Sequence, residues 1–229
     1  MNRGTHLVIF VGPPGSGKGS LSQLCTRKLG WTQLSTGSLC RKHIAEKTEI
    51  GKEIDFSIRY GKLIADELIV SMVKEWLENN IEQQRTVILD GFPRTITQAE
   101  YLQVVILEKL PQCRLSIIKL AVSDKVITER LLGRYTCANN NCQAIYSIHA
   151  HSAMVPKKPN VCDVCEYKLI RREDDDEAVV CDRLSSYHKY EHGLIEFYKR
   201  IGKKIKEINV EKPINRVFED FTSLIVENE

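Results

Sequence analysis

Gly12-Pro-Pro-Gly-Ser-Gly-Lys-Gly-Ser20 lies between two segments of opposite habit, and that placement decides the fold. Before it, His6-Leu-Val-Ile-Phe-Val11 is almost wholly apolar and rich in branched residues, the pattern of a short buried strand. After it, Lys18 to Lys28 reads as a helix. A glycine-rich turn between strand and helix lets backbone N–H groups close around an anion at the helix N-terminus. Lys18 adds a full positive charge that reaches the outer phosphates of such a ligand. The residue after the lysine is Gly19, with the hydroxyl one place later at Ser20, so the common phosphate-loop pattern is shifted by one.

Working outward, apolar strand patterns recur at Leu7–Val11, Thr86–Asp90, Leu115–Val122 and Ile214–Phe218, with a weaker one near Trp31–Leu34. Helical patterns fill Ser38–Glu46, Asp66–Asn80, Thr97–Leu110, Lys125–Leu132 and a long stretch from Asp175 to about Glu207. Strands alternating with helices predict a parallel sheet covered on both faces, a three-layer α/β/α core. Ligands of such sheets bind beyond the carboxyl ends of the strands, where Gly12, Asp90 and Val122 should meet. Two segments interrupt the alternation. Residues 36–66 give two helices without a strand, and residues 134–174 lose helical periodicity while gathering Asn, Pro, Lys, His and Cys. The expected division is therefore a core of 1–35, 67–133 and 175–229 carrying inserts at 36–66 and 134–174.

Composition is that of an ordinary soluble protein of 229 residues, 42% hydrophobic and 28% charged. A net charge of +3 is too small to imply nucleic-acid or membrane binding by itself. No apolar run is long enough to span a bilayer, and the first residues lead straight into the loop strand, so a cytoplasmic protein is expected. Of the eight cysteines, Cys25, Cys40, Cys113 and Cys181 are scattered singly and read as small buried hydrophobes. Cys137-x4-Cys142 and Cys162-x2-Cys165 are two close pairs 19 residues apart, the arithmetic of a tetrahedral metal site. The first pair is wider than the usual two-residue gap. Buried thiols, or a ligand contributed by His149 or His151, therefore remain open beside a four-cysteine zinc site.

A second constellation, Leu89-Asp-Gly-Phe-Pro-Arg-Thr-Ile-Thr-Gln98, sets Asp90 at a strand end and Arg94 and Gln98 four apart. Asp90 there can order the waters of a magnesium ion, and Arg94 offers phosphate a planar, permanently charged fork. In Leu34-Ser-Thr-Gly-Ser-Leu-Cys-Arg41 the plain reading of Thr36 is a helix cap. Asp174 and Asp175, in the run Arg171–Glu177, read as a hinge and as partners of arginines. His188 and His192 read as surface or packing residues.

Together GPPGSGKGS, LSTGSLCR, GKLIADELI, LDGFPRT with Gln98, ERLLGR at Glu129–Arg134, and RREDD followed by Arg183 resemble the adenylate kinase family. The resemblance runs from about Leu7 to Val217 and is to the long form, whose LID insert bears a bacterial-type structural zinc site. It implies a monomeric enzyme that interconverts ATP plus AMP and two ADP with Mg2+ as cofactor. Gly12, Pro13, Pro14, Gly15, Ser16, Gly17, Lys18, Gly19 and Ser20 would then hold the ATP phosphates. Arg130 would lie against the ATP adenine, and Arg134 would reach its outer phosphates. Thr36, Arg41, Gly91, Arg94 and Gln98 would hold AMP, with Gly61, Lys62, Leu63 and Ile64 packing on its adenosine. Arg172 and Arg183 would bridge both substrates, making Lys18, Arg94, Arg134, Arg172 and Arg183 the catalytic set. Zinc would sit on Cys137, Cys142, Cys162 and Cys165. Ser38 stands where the family usually has an acid, and Val210 where it often has glycine.

A UMP/CMP kinase and a GTP:AMP phosphotransferase are the near rivals, although the former usually has a short LID. A nucleic-acid-binding ATPase with a zinc ribbon is the rival of another class, lent slight support by Pro156-Lys-Lys-Pro159. Against it, the aromatic residues are not interleaved with basic ones. No nucleic-acid or membrane partner is expected.

Overall fold

A computed structural model describes residues 4–59, 64–80, 85–149, 152 and 154–226. Gly61, Lys62, Leu63 and His151 lie outside the described residues. Strand β1 (His6–Val11) is buried along its whole length, as its unbroken apolar run requires. It sits at the centre of a five-stranded sheet of order β2-β3-β1-β4-β8, all neighbours parallel. The other strands are β2 (Thr32–Ser35), β3 (Thr86–Asp90), β4 (Arg114–Ala121) and β8 (Ile205–Asn209).

Successive residues of β1 point to opposite faces and so serve two cores. Leu7 and Ile9 pack with Leu34, Val87 and Leu89 beneath α2 (Thr36–Ala45), α4 (Asp66–Asn80), α5 (Ile96–Lys109) and α7 (Glu177–Arg200). Val8 and Phe10 pack with Ile118 and Leu120 beneath α1 (Lys18–Leu29) and α8 (Ile214–Val226). The α/β sandwich expected from the alternation is thus present. Between β2 and α4 run only α2 and α3 (Glu49–Arg59), and no strand intervenes among the described residues.

The chain after α6 (Asp124–Leu132) leaves the core for a three-stranded antiparallel sheet, in which β5 (Arg134–Cys137) lies between β6 (Ile145–Ser147) and β7 (Leu169–Ile170). Among the described residues its buried apolar cluster is Cys137, Tyr146, Cys162 and Leu169, with Tyr135, Cys142, Ala144 and Cys165 partly buried against it. A core that small does not hold a segment of this length together by burial alone.

The C-terminal expectations need correction. The long helix ends at Arg200, and Ile205–Glu207, read as its tail, belongs to the edge strand β8. Ile214–Phe218, read as a strand, opens helix α8. Val217, Phe218, Phe221 and Ile225 recur at helical spacing and are all buried against the sheet, while the preceding Pro213 suits a helix start. The adjacent pair Val217-Phe218 suggests a strand only when the window stops there. Cys181 is also exposed, not buried, whereas Cys25 and Cys40 sit in the core.

Candidate active site

At the carboxyl end of β1 the chain turns through Gly15 at φ +79° and Gly17 at φ +92° before α1 begins. Only glycine adopts such angles without strain, so the loop's spacing follows from its backbone path. Lys18 folds back over the loop. Its Nζ donates to the carbonyls of Gly12 (2.6 Å) and Pro13 (2.7 Å) and lies 3.3 Å from Ser16 Oγ. Burial pushes its ammonium down to about 7, opposed by Asp90 and reinforced by Arg94, Arg183 and Arg134. A Cβ at residue 19 would lie 3.3 Å from Asp90 Oδ2 and 3.5 Å from Ile145 Cδ1. A side chain at residue 19 would therefore press lightly on the Asp90 carboxylate.

Asp90 ends β3 and accepts from Gln33 Nε2 at 3.0 Å, a partner with no motif around it to announce it. Gly91, at φ +82°, has no room for a side chain, since a Cβ would meet Thr36 Oγ1 at 2.7 Å and Arg94 Nη2 at 2.9 Å. Thr36 is not the cap of α2. Ser35 fills that role, accepting from the Ser38 amide, and the buried Thr36 hydroxyl donates to the Gly91 carbonyl at 3.0 Å. Arg94 Nε also donates to that carbonyl, at 2.9 Å. The buried Gln98 accepts from the Arg94 amide (2.8 Å) and donates to Asp66 Oδ1 (2.7 Å), while Thr95 donates to Asp66 Oδ2 (2.8 Å). Asp66 therefore fixes the turn carrying Arg94. Asp66 itself opens α4, where an acid also suits the helix N-terminus.

The opposite wall carries the remaining arginines. Arg134 forms a two-pronged pair with the fully buried Asp175, Nε donating to Oδ2 at 2.8 Å. Arg183 donates to both the carboxylate (2.9 Å) and the carbonyl (2.8 Å) of Asp174, so both acids do partner arginines. Arg172 donates to Thr136 Oγ1 at 2.8 Å. Arg130 donates to the Val210 carbonyl at 2.6 Å. Burial, helped by Arg134 and Arg41, pushes Arg172 well below its ordinary value. Burial opposes ionisation of Asp174, yet Arg183, Arg134, Arg172 and Arg41 hold its carboxyl below the usual range. Lys18, Arg41, Arg94, Arg134, Arg172 and Arg183 thus surround Asp90, Asp174 and Asp175 in and behind one cleft of about 1480 Å³. An excess of positive charge lining one cleft is stabilised by an anionic ligand.

Cys137, Cys142, Cys162 and Cys165 place their sulfurs within 4.8 Å of one another. Two of the separations are 3.3 Å (Cys137–Cys165) and 3.7 Å (Cys142–Cys162). Four thiolates on a tetrahedral zinc stand about 3.8 Å apart, so the set fits that ion. Burial opposes ionisation of Cys162, but the Tyr146 hydroxyl and the Val164 and Cys165 amides outweigh it and bring the thiol down to about 6. His149 faces the Glu129 carbonyl at 2.9 Å and is outside the cluster. His188 pairs at the surface with Asp124 at 3.1 Å. No described helix is long and apolar enough to cross a membrane.

Comparison with known proteins agrees with this chemistry. The family model described as adenylate kinase matches residues 10–203. An adenylate kinase of Clostridium botulinum (strain Langeland) is 36% identical over 218 residues, 95% of this chain and 97% of its own. One from Clostridium tetani is 35% identical over the same span and shares. One from Ureaplasma urealyticum is 36% identical over 223 residues, 96% of this chain and 99% of its own. With the parallel-sheet core, the phosphate loop and the arginine-lined cleft, these matches make the chain a member of the adenylate kinase family, and so a nucleoside monophosphate kinase acting on ATP and AMP.

Proposed function

We propose that the two ends of the cleft divide the labour of ATP + AMP = 2 ADP. At the donor end, the amides of Gly12–Ser20 and the Lys18 ammonium hold the ATP phosphates, Arg130 lies against the adenine and Arg134 reaches the outer phosphates. At the acceptor end, Arg41 and Arg94 bind the AMP phosphate. Thr36, Gly91, Gln98 and the stretch Gly61–Ile64 receive its nucleoside. Arg172 and Arg183 span both. Residues 36–66 act as the acceptor-binding insert and 134–174 as a LID on the core formed by the remainder. The observation that carries this reading is the ring of six cations, drawn from core and both inserts, around a single cleft.

Phosphoryl transfer asks the protein for positioning and charge stabilisation, not for a covalent intermediate. The acceptor oxygen is already an anion, so no general base is needed. In-line approach brings two polyanions together, and the arginines offset their repulsion as charge moves across the transferring group. Excluding water matters equally, since an attacking water would waste ATP, and a LID closed over the cleft does this. Bound with ATP, Mg2+ would offset charge on the phosphates, and Asp90, beside the loop, would hold it through water. Zinc on the four cysteines would be structural, because four protein ligands close its coordination sphere.

All these groups belong to one chain, which supports a working monomer binding ATP, AMP and ADP. Four cysteines kept as metal-binding thiols suit a reducing, cytoplasmic setting. The divided-site reading is tested by Arg41→Ala. The AMP KM is expected to rise about tenfold or more, since a charged hydrogen bond to phosphate is lost, while the ATP KM stays within about twofold. A variant in which only the ATP KM rises would contradict it.

A further inference from the structure

The wide loop of the first cysteine pair is followed by a residue that makes a polar contact across the mouth of the cleft. Arg41 Nε, on α2, donates to Gln143 Oε1 at 2.7 Å, although the two residues are 102 apart in sequence. Gln143 directly follows Cys142. The loop before it is closed on itself: the Asn139 carbonyl accepts from the amides of both Cys142 (2.9 Å) and Gln143 (3.0 Å), and Asn139 Oδ1 accepts from Asn141 (3.0 Å). Gln143 itself sits at φ +48°, a turn that swings it out of the metal knuckle.

Both ends of the Gln143 amide are committed. Its Nε2 donates to the Asn140 carbonyl at 3.0 Å while its oxygen receives Arg41. The flipped amide would set an NH2 against a guanidinium N–H and an oxygen against a carbonyl, so the orientation is fixed by chemistry. Arg41 Nη2 donates to Ser38 Oγ at 3.2 Å. Among the described residues its hydrogen-bond partners are thus neutral, while the Asp174 and Asp90 carboxylates act on it from farther away. The neutral pair aims the guanidinium without neutralising it, which is the state a phosphate-binding arginine needs.

We propose that Gln143 is a positioning residue for the acceptor nucleotide, orienting Arg41 from the cysteine-bearing insert so that closure of that insert and binding of the AMP phosphate support each other. This rests on the reading that Arg41 holds that phosphate. Arg41 acts on the ligand, and Gln143 acts through Arg41. The contact exists only while the two inserts face each other. A phosphate that fixes Arg41 thus favours closure, and closure in turn favours the phosphate, as linkage requires.

The test is steady-state kinetics on the full-length, zinc-loaded enzyme, varying AMP at saturating ATP and the reverse. Gln143→Ala and the near-isosteric Gln143→Met, which keeps the stem but not the acceptor oxygen, are both expected to raise the AMP KM about 5- to 10-fold. The ATP KM, melting temperature and zinc content should not change. In an Arg41→Ala background the same changes should have no further effect on the AMP KM. An unchanged AMP KM in both Gln143 variants, or an equal rise with Arg41 already removed, would overturn the proposal. So would a fall in zinc content with both KM values rising, which marks a merely structural role. If Arg41→Ala alone leaves the AMP KM unaltered, it is the assignment of Arg41 that has failed, and the proposal with it.

Discussion

Arg94→Ala is expected to lower kcat for ADP formation from ATP and AMP by about 10³-fold, the scale of removing an arginine from a transferring phosphoryl group. The melting temperature should move by no more than about 2 °C, because the change leaves no buried group without a partner. Arg94 is exposed, and its amide is held by Gln98 whatever side chain it carries. The Gly91 carbonyl that accepts from Arg94 Nε also accepts from Thr36, and so stays satisfied. On the proposed division of the cleft, what is lost is positive charge where the acceptor phosphate meets the donor. Stopped-time nucleotide chromatography beside thermal melting separates the two effects. A near-normal rate in a folded variant would remove Arg94 from the transfer site.

Cys162→Ser should produce the largest loss of stability. Among the described residues the cysteine-bearing insert has a buried apolar cluster of four, two of them the cysteines Cys137 and Cys162 themselves. On the proposed reading, metal–thiolate bonds supply what burial does not. Cys162 is fully buried and is the thiol most strongly prepared for ionisation, by the Tyr146 hydroxyl and the Val164 amide. The wild-type chain is expected to carry one zinc by elemental analysis and the variant close to none. Losing about 3 kcal/mol corresponds to a melting temperature lower by roughly 6–12 °C in a chain of this size. Some activity should survive, because the phosphate loop and the acceptor insert do not depend on the metal. Equal zinc content and equal melting temperature would refute a structural metal.

Much of this architecture is legible in the sequence because strong local signals coincide with global ones. The apolar run His6–Val11, the glycines after it and the helix beginning at Lys18 each have one natural conformation, and these agree. Asp90, Arg94 and Gln98 are readable for the same reason: a strand end followed by a tight turn leaves few places for them. The C-terminal third is harder. Ile205–Asn209 is a five-residue edge strand with only Ile208 fully buried, too weak a pattern to interrupt a helix on paper. Helix α8 reveals its period only when Phe221 and Ile225 are counted with Val217. Within the site, the sequence points to residues that carry charge toward a ligand, but not to those that aim them. Gln33, Asp66 and Gln143 act through partners 57, 32 and 102 positions away, distances at which no spacing rule operates. Thr36 misled for a related reason. Serine and threonine at 35 and 36 both suit a cap, and only the approach of Gly91 decides which hydroxyl turns inward.

The central claim is that this cleft joins a donor site for ATP to an acceptor site for AMP. The direct measurement is product chromatography after mixing the purified enzyme and Mg-ATP with AMP, UMP, CMP or GMP in separate reactions. Rapid formation of ADP with AMP, and little turnover with the other three, is the predicted result. Efficient formation of UDP or CDP, or ATP hydrolysis indifferent to any acceptor, would contradict it.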